Sequence, residues 1–188
     1  SENIVPATME LGGKSPHIIF PDADVERAIE GVMIGVFLNQ GEVCTAGSRL
    51  FVHDAIYDRF MEKLVAKVKG LKIGDPMKED TQLGPIVSRE QMEKVLSYIE
   101  IGKKEGAALL CGGTRSADPA LSKGFFVTPA IFGNVNNKMR IAQEEIFGPV
   151  VSVIRWNDYD TMIAEANDIA YGLAAGLWTE TLPLAVKT

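Results

Sequence analysis

Two successive strand-plus-helix units, each closed by a glycine, constrain this chain more than any other feature. The apolar run His17 to Phe20 stops at Pro21, and the Asp22/Asp24 pair that follows can cap a helix. From Val25 onward, Ala28, Ile29, Val32, Met33, Val36 and Phe37 recur at spacings of three and four, a stripe wide enough to be buried against a sheet. Gly41 ends it. Arg49 to His53 then reads as a strand, and Asp54 is expected to cap a second helix that carries Tyr57, Phe60, Met61, Leu64 and Val68 on one face before Gly70. Strands separated by amphipathic helices imply an α/β fold, with a mostly parallel sheet covered by helices on both faces.

The remainder extends the pattern. Leu71 to Val87 is rich in Gly, Pro and charges and reads as a surface loop. Ser88 and Gln91 have capping-box spacing for a third helix, with Met92, Val95, Leu96 and Ile99 inside and Gly106 past its end. Strands are expected at Ala107 to Cys111, Phe125 to Phe132, Val150 to Trp156 and Leu173 to Trp178, with a helix opened by Asp158 between the last two. Thr181 to Thr188 begins a further helical segment. With 188 residues the chain is the size of one domain, and both ends read as cut from something longer.

Composition narrows the function classes. There are 19 Lys and Arg against 25 Asp and Glu, for a net charge of -6, which disfavours nucleic acid as the main partner. The longest uncharged stretch, Gly124 to Asn137, is 14 residues and contains Pro129; a membrane-spanning helix needs about 20 apolar residues. Ser1 to Pro6 has neither the basic region nor the apolar core of a secretory signal. Two cysteines are too few for a disulfide framework and suit a reducing compartment such as the cytoplasm.

Several site types are excluded by spacing. Gly12-Gly13-Lys14-Ser15 would be a phosphate loop only with Gly in place of Thr8, and Pro16 forbids the helix that must follow. No G-x-G-x-x-G follows a strand. Arg27 stands where a calcium loop needs Gly, and two His with two distant Cys form no metal-ligand cluster. Cys44 is more informative. It lies in Gln40-Gly41-Glu42-Val43-Cys44-Thr45-Ala46-Gly47-Ser48, a turn between helix and strand whose backbone N–H groups can serve a thiolate or an oxyanion; the alternative is a buried structural thiol. Cys111, inside Ala-Ala-Leu-Leu-Cys, reads as a core residue. Glu10, in Met9-Glu10-Leu11-Gly12-Gly13, is either a carboxylate set into an apolar strand, suited to general-base work, or a charge in solvent.

Met9 to Pro16 resembles the glutamate motif of the NAD(P)-dependent aldehyde dehydrogenase superfamily, and Phe37 to Ser48 resembles its cysteine motif. The 34-residue separation of Glu10 and Cys44 is similar to the family's. Glu144-Glu145-Ile146-Phe147-Gly148-Pro149-Val150 and Tyr171-Gly172-Leu173-Ala174-Ala175 match two further signatures. The resemblance covers nearly the whole chain and implies a Rossmann-like three-layer catalytic domain, with the coenzyme-binding domain lying outside it.

The resemblance also implies roles. Cys44 would attack an aldehyde to form a thiohemiacetal and then a thioester, and Glu10 would activate the water that hydrolyses the thioester. NAD or NADP would be held by Glu145 at the nicotinamide ribose, with Phe147 nearby, Leu11 touching the carboxamide through its backbone, and Gln91 and Lys94 fixing the ribose end. The substrate would be a small aldehyde, the parent enzyme a homo-oligomer, and no metal, membrane or nucleic acid would take part. Three alternatives stand beside this: an acylating relative that uses coenzyme A, disfavoured by Glu10; a Cys-His acyl hydrolase or transferase using His17 or His53; and an isolated piece without dehydrogenase activity.

Overall fold

The computed structural model describes residues 4–188. The reading of Ser1 to Pro6 as lacking a secretory signal falls partly on Ser1 to Asn3, outside the described residues. In chain order the elements are β1 (Pro16–Ile19), α1 (Val25–Phe37), β2 (Arg49–His53), α2 (Tyr57–Lys69), α3 (Arg89–Lys104), β3 (Ala108–Cys111), β4 (Ala130–Gly133), α4 (Arg140–Gln143), β5 (Val150–Trp156), α5 (Tyr159–Asn167), β6 (Gly176–Trp178) and α6 (Leu182–Lys187). They build one six-stranded sheet in the order β3-β4-β5-β2-β1-β6. Every neighbouring pair is parallel except β3 with β4 at one edge.

Alternation along the strands sorts the side chains into two cores, as the two-sided covering requires. Ile19, Leu50, Val52, Val151 and Val153 face α1 and α2, meeting Ala28, Ile29, Val32, Phe60 and Leu64. Ile18, Phe51, Val150 and Ile154 face the other way, against Val95 and Ile99 of α3, Ile141 of α4 and Met162 of α5. The capping residues read from the sequence act as expected for α1, α3 and α5. Asp24 accepts from the N–H groups of Glu26 and Arg27, Ser88 from that of Gln91, and Asp158 from that of Thr161.

Four details differ from the sequence expectations. His53, not Asp54, caps the turn before α2, its ring accepting from the N–H of Ala55. The strand expected over Phe125 to Phe132 enters the sheet only at Ala130, because Pro129 has no N–H to give a ladder; Val127 pairs instead with Arg115 in an isolated bridge. The last strand starts at Gly176, three residues later than expected. The segment 71–87 is anchored rather than merely superficial, since Leu83 and Ile86 are buried. Among the described residues no helix is long and apolar enough to cross a membrane.

One consequence of the topology could not be read from the sequence. β5, β2, β1 and β6 are adjacent and parallel, so the segments that precede them, 144–149, 40–48, 10–15 and 171–175, meet at one edge of the sheet. It is the amino edge, opposite to where open parallel sheets usually place their ligands.

Candidate active site

The chain reverses sharply to bring Cys44 to that edge. After α1 ends at Phe37, Asn39, Gln40 and Gly41 take φ values of 49°, 60° and 72°, three successive left-handed residues. Asn tolerates this conformation, and glycine adopts it without a Cβ clash. At Gly41 a Cβ would also stand 2.3 Å from the carbonyl oxygen of Gly148, so this backbone lies directly on the 145–149 segment. Side chains of the reversal secure the neighbouring loop: Gly84 N–H donates to Gln40 Oε1 (3.2 Å) and Val87 N–H to Glu42 Oε1 (3.2 Å).

Cys44 sits in the turn closed by Ala46 N–H donating to Val43 O (3.1 Å). It is half-buried, whereas Cys111 is buried in β3 and its thiol is pushed up by that burial. Gly47 N–H is bonded to Gly35 O and Ser48 N–H to Ala46 O, but the N–H groups of Val43, Cys44 and Thr45 find no acceptor among the described residues. Unengaged donors beside a nucleophile are what an oxyanion requires.

Gly13 lies against this turn. A Cβ there would stand 2.2 Å from Cys44 O, and Gly13 N–H donates to Glu145 Oε1 at 2.9 Å. At Gly12 a Cβ would meet Glu145 Oε2 at 2.8 Å and Tyr171 at 3.3 Å. Each of the four sequence motifs therefore touches the Gly12–Gly13 backbone or a neighbour of it. Three of them, the glutamate, cysteine and 144–150 motifs, enclose a narrow cleft of about 10 Å³ beside Cys44, lined by Gly13, Gly41, Val43, Ala46, Glu145 and Phe147.

Two adjacent carboxylates differ here. Glu144 accepts from Arg140 Nε (2.7 Å), Arg140 Nη2 (2.8 Å) and Tyr98 Oη (2.5 Å), and these bonds, that of Arg140 first, hold it down at about 2. Glu145 Oε1 has Gly13, while no donor reaches its Oε2 among the described residues. Phe147 follows in the left-handed region (φ 58°), costly for a bulky residue. Gln91 of α3 holds that conformation, its Nε2 donating to Ile146 O (2.9 Å) and Phe147 O (2.6 Å).

The other expected site residues fare unequally. Glu10 is exposed, in irregular chain before β1, and makes no hydrogen bond or ion pair among the described residues. That corrects the buried-strand alternative: the strand begins at Pro16, so Glu10 has no sheet neighbours to cover it. Leu11 is exposed as well. Gln91 is not on an open helix face, and both its bonds go to backbone carbonyls. Lys94, one turn further, is exposed and unpaired among the described residues. Neither histidine lines this cleft: His17 packs against Gly47 with its Nε2 accepting from Trp178 Nε1 (2.8 Å), and His53 caps the turn before α2.

Sequence reading missed Arg49 and Lys14. Arg49 is fully buried at the start of β2, donating to Lys14 O (3.3 Å), Asn137 Oδ1 (2.9 Å), Glu165 O (2.9 Å) and Ala166 O (2.7 Å). It caps the negative end of α5 and ties it to the strand beside Cys44. The signal was present, a charge opening an otherwise apolar strand. Lys14 is 1% exposed and its Nζ has no hydrogen-bond partner among the described residues; burial, reinforced by Arg49 and opposed by Glu145 and Glu144, pushes it down to about 7. A wider hollow of about 510 Å³ lies between α1 and α2, with mainly apolar walls of Met33, Ile34, Phe37 and Leu71 and a Lys67 that is paired with Glu30.

The chain matches the model of the aldehyde dehydrogenase family over residues 1–188. It is 52% identical over 179 residues to a betaine aldehyde dehydrogenase of Mesorhizobium japonicum, covering 95% of this chain and 37% of that protein. A betaine aldehyde dehydrogenase of Brucella anthropi is 53% identical over 178 residues, with the same coverage. The chain thus spans about 37% of the length of these curated relatives. Among solved structures, the NAD+ complex of an aldehyde dehydrogenase from Bacillus cereus superposes with a TM-score of 0.90 at 47% identity, covering 95% of this chain and 35% of that one. The betaine aldehyde dehydrogenase of Staphylococcus aureus in complex with NAD+ gives 0.93 at 41% identity, with 95% and 35% covered.

Proposed function

The chain belongs to the aldehyde dehydrogenase family, and from that premise we propose that it carries the catalytic residues of an NAD(P)-dependent oxidation of an aldehyde to a carboxylic acid. The observation that supports this most is the contact of Gly13 with both Cys44 and Glu145, which brings the nucleophile and a coenzyme-directed carboxylate to one backbone.

The residues fit the nicotinamide end of a dinucleotide. Glu145 Oε2 receives no donor among the described residues and is available to a ribose hydroxyl, and Gly12 and Gly13, with no Cβ, let the chain pack directly against Glu145 and the Cys44 carbonyl. Phe147 and the backbone of Leu11 would bound the ring and its carboxamide, while Gln91 acts through the 146–147 backbone and Lys94 remains free to reach a ribose oxygen. When bound, the nicotinamide supplies a hydride acceptor. The chain does the rest. Cys44 thiolate adds to the aldehyde carbon, and the N–H groups of Val43, Cys44 and Thr45 are the donors at hand for the oxyanion of the thiohemiacetal. After oxidation to the thioester, Glu10 takes a proton from the water that releases the acid. Its exposed position on a segment leading into Gly12–Gly13 suits a base that must meet water.

No strand of the chain is followed by a glycine-rich phosphate fingerprint, so the 188 residues alone should accept an acyl group without turning over aldehyde. The parent enzyme would work in the cytoplasm, consistent with two unpaired thiols, and as a homo-oligomer, consistent with exposed Ile34 and Leu38 on one face.

The reading is tested in an enzyme that joins this chain to a dinucleotide-binding domain. Glu10→Gln should preserve a burst of reduced coenzyme and slow the following turnover by about 10² to 10⁴-fold. Cys44→Ala should abolish both phases. A Cys44→Ala enzyme that still reduces coenzyme with aldehyde would overturn the reading.

A further inference from the structure

Glu145 is expected to face a coenzyme, yet its only bond among the described residues is to the protein. Oε1 accepts from Gly13 N–H at 2.9 Å. Gly13 in turn has no room between its Cα and the Cys44 carbonyl, where a Cβ would approach to 2.2 Å. The carboxylate, the glycine and the cysteine turn therefore form one chain of contacts, with Oε2 left over. The far side of the carboxylate is fixed as well. Gln91 clamps the carbonyls of Ile146 and Phe147, and Phe147 is in a conformation it would not keep unsupported. The three turns converge from β1, β2 and β5, which are sheet neighbours, so the linkage rests on a rigid frame.

We propose that Glu145 is a positioning residue for Cys44: through Gly13 its carboxylate holds the cysteine turn closed, so that a hydroxyl donor bound at Oε2 and the thiol are mechanically joined. The half concerning a ribose hydroxyl rests on the function proposed above; the half concerning Cys44 does not, because it is argued only from the Glu145 to Gly13 bond and the approach of Gly13 to the Cys44 carbonyl.

What matters in this linkage is the reach of an acceptor oxygen, not the charge it bears. Gln keeps the reach and loses the charge, whereas Asp keeps the charge and falls short by one methylene. That separates positioning from an electrostatic effect on the thiol. A general loosening of the fold is separated by Cys111, which lies in β3 at the opposite side of the sheet order and reports on the core.

The experiment is the rate of iodoacetamide labelling of both cysteines in the 188-residue chain, without coenzyme, resolved by peptide mapping. In the unsubstituted chain Cys44 should label faster than Cys111, as its exposure dictates. Glu145→Ala and Glu145→Asp should each raise the Cys44 rate about fivefold, the factor that one ordinary hydrogen bond carries. Glu145→Gln should stay within about twofold of the starting chain, and the Cys111 rate should not move. Unchanged Cys44 labelling in Glu145→Asp, a Glu145→Gln chain that behaves like Glu145→Ala, or a parallel rise at Cys111 would each overturn the proposal. None of these results bears on whether Cys44 accepts an acyl group, so failure here and failure of the proposed function remain distinguishable.

Discussion

Gly13 and the carbonyl oxygen of Cys44 are so close that no side chain fits between them: a Cβ on Gly13 would stand 2.2 Å away. The obstacle is backbone, which cannot rotate aside as a side chain would. Gly13→Ala should therefore cost about 1 to 3 kcal/mol, the usual penalty of forcing extra volume into a packed site. Gly172→Ala is the matched control, because nothing lies within 4 Å of the added Cβ, and it should change stability by less than about 1 kcal/mol. Urea unfolding of the two variants measures the difference; equal stabilities would mean that the Gly13 contact is not tight.

His17 gives a pH dependence. It is buried on β1, its Nε2 accepting from Trp178 Nε1, and burial pushes it down from 6.5 to about 4. Because the folded value is depressed, the unfolded chain takes up the proton first, and stability falls as pH drops from about 6.5 towards 4. Between pH 7 and pH 5 the loss from this one group should be about 2 kcal/mol. Thermal unfolding of the native chain and His17→Gln at the two pH values isolates it: the variant should lack this component of the decline.

Gln91 supports the strained turn at Phe147 with two bonds to successive carbonyls. Gln91→Ala should cost about 1 to 3 kcal/mol, since it strips partners from partly buried oxygens. Gln91→Glu should cost at least as much, because a carboxylate would face two acceptors with no proton to offer. A stable Gln91→Glu chain in urea unfolding would contradict the clamp.

The sequence carried most of the fold because each early element announced both its face and its end: the Val25 to Phe37 stripe, the caps at Asp24, Ser88 and Asp158, and the glycines that follow α2 and α3. It was weaker where structure depends on tertiary partners. β4 is short because Pro129 breaks the ladder, and α4 is a single turn with no side-chain cap to mark it. For the site, periodicity said nothing; residue types, spacing and resemblance named Cys44, Glu10, Glu145 and Phe147. That these motifs meet at the amino edge of the sheet follows from strand order, which local patterns do not encode. Gln91 was read as facing a ligand because capping-box spacing fixes a helix start but not what the side chain reaches. Arg49 went unread because its partners are distant in sequence: Lys14 O, Asn137 Oδ1 and, more than 100 residues away, two carbonyls of α5.

The central claim, that Cys44 is the acyl-accepting nucleophile, is tested most directly by treating the 188-residue chain with 4-nitrophenyl acetate and mapping the acetyl group by mass spectrometry. The expected result is a stoichiometric release of nitrophenolate with the acetyl group on Cys44, lost in Cys44→Ala and retained in Cys111→Ala. Acetyl transfer to Cys111 or Lys14 instead, or release undiminished by Cys44→Ala, would contradict it.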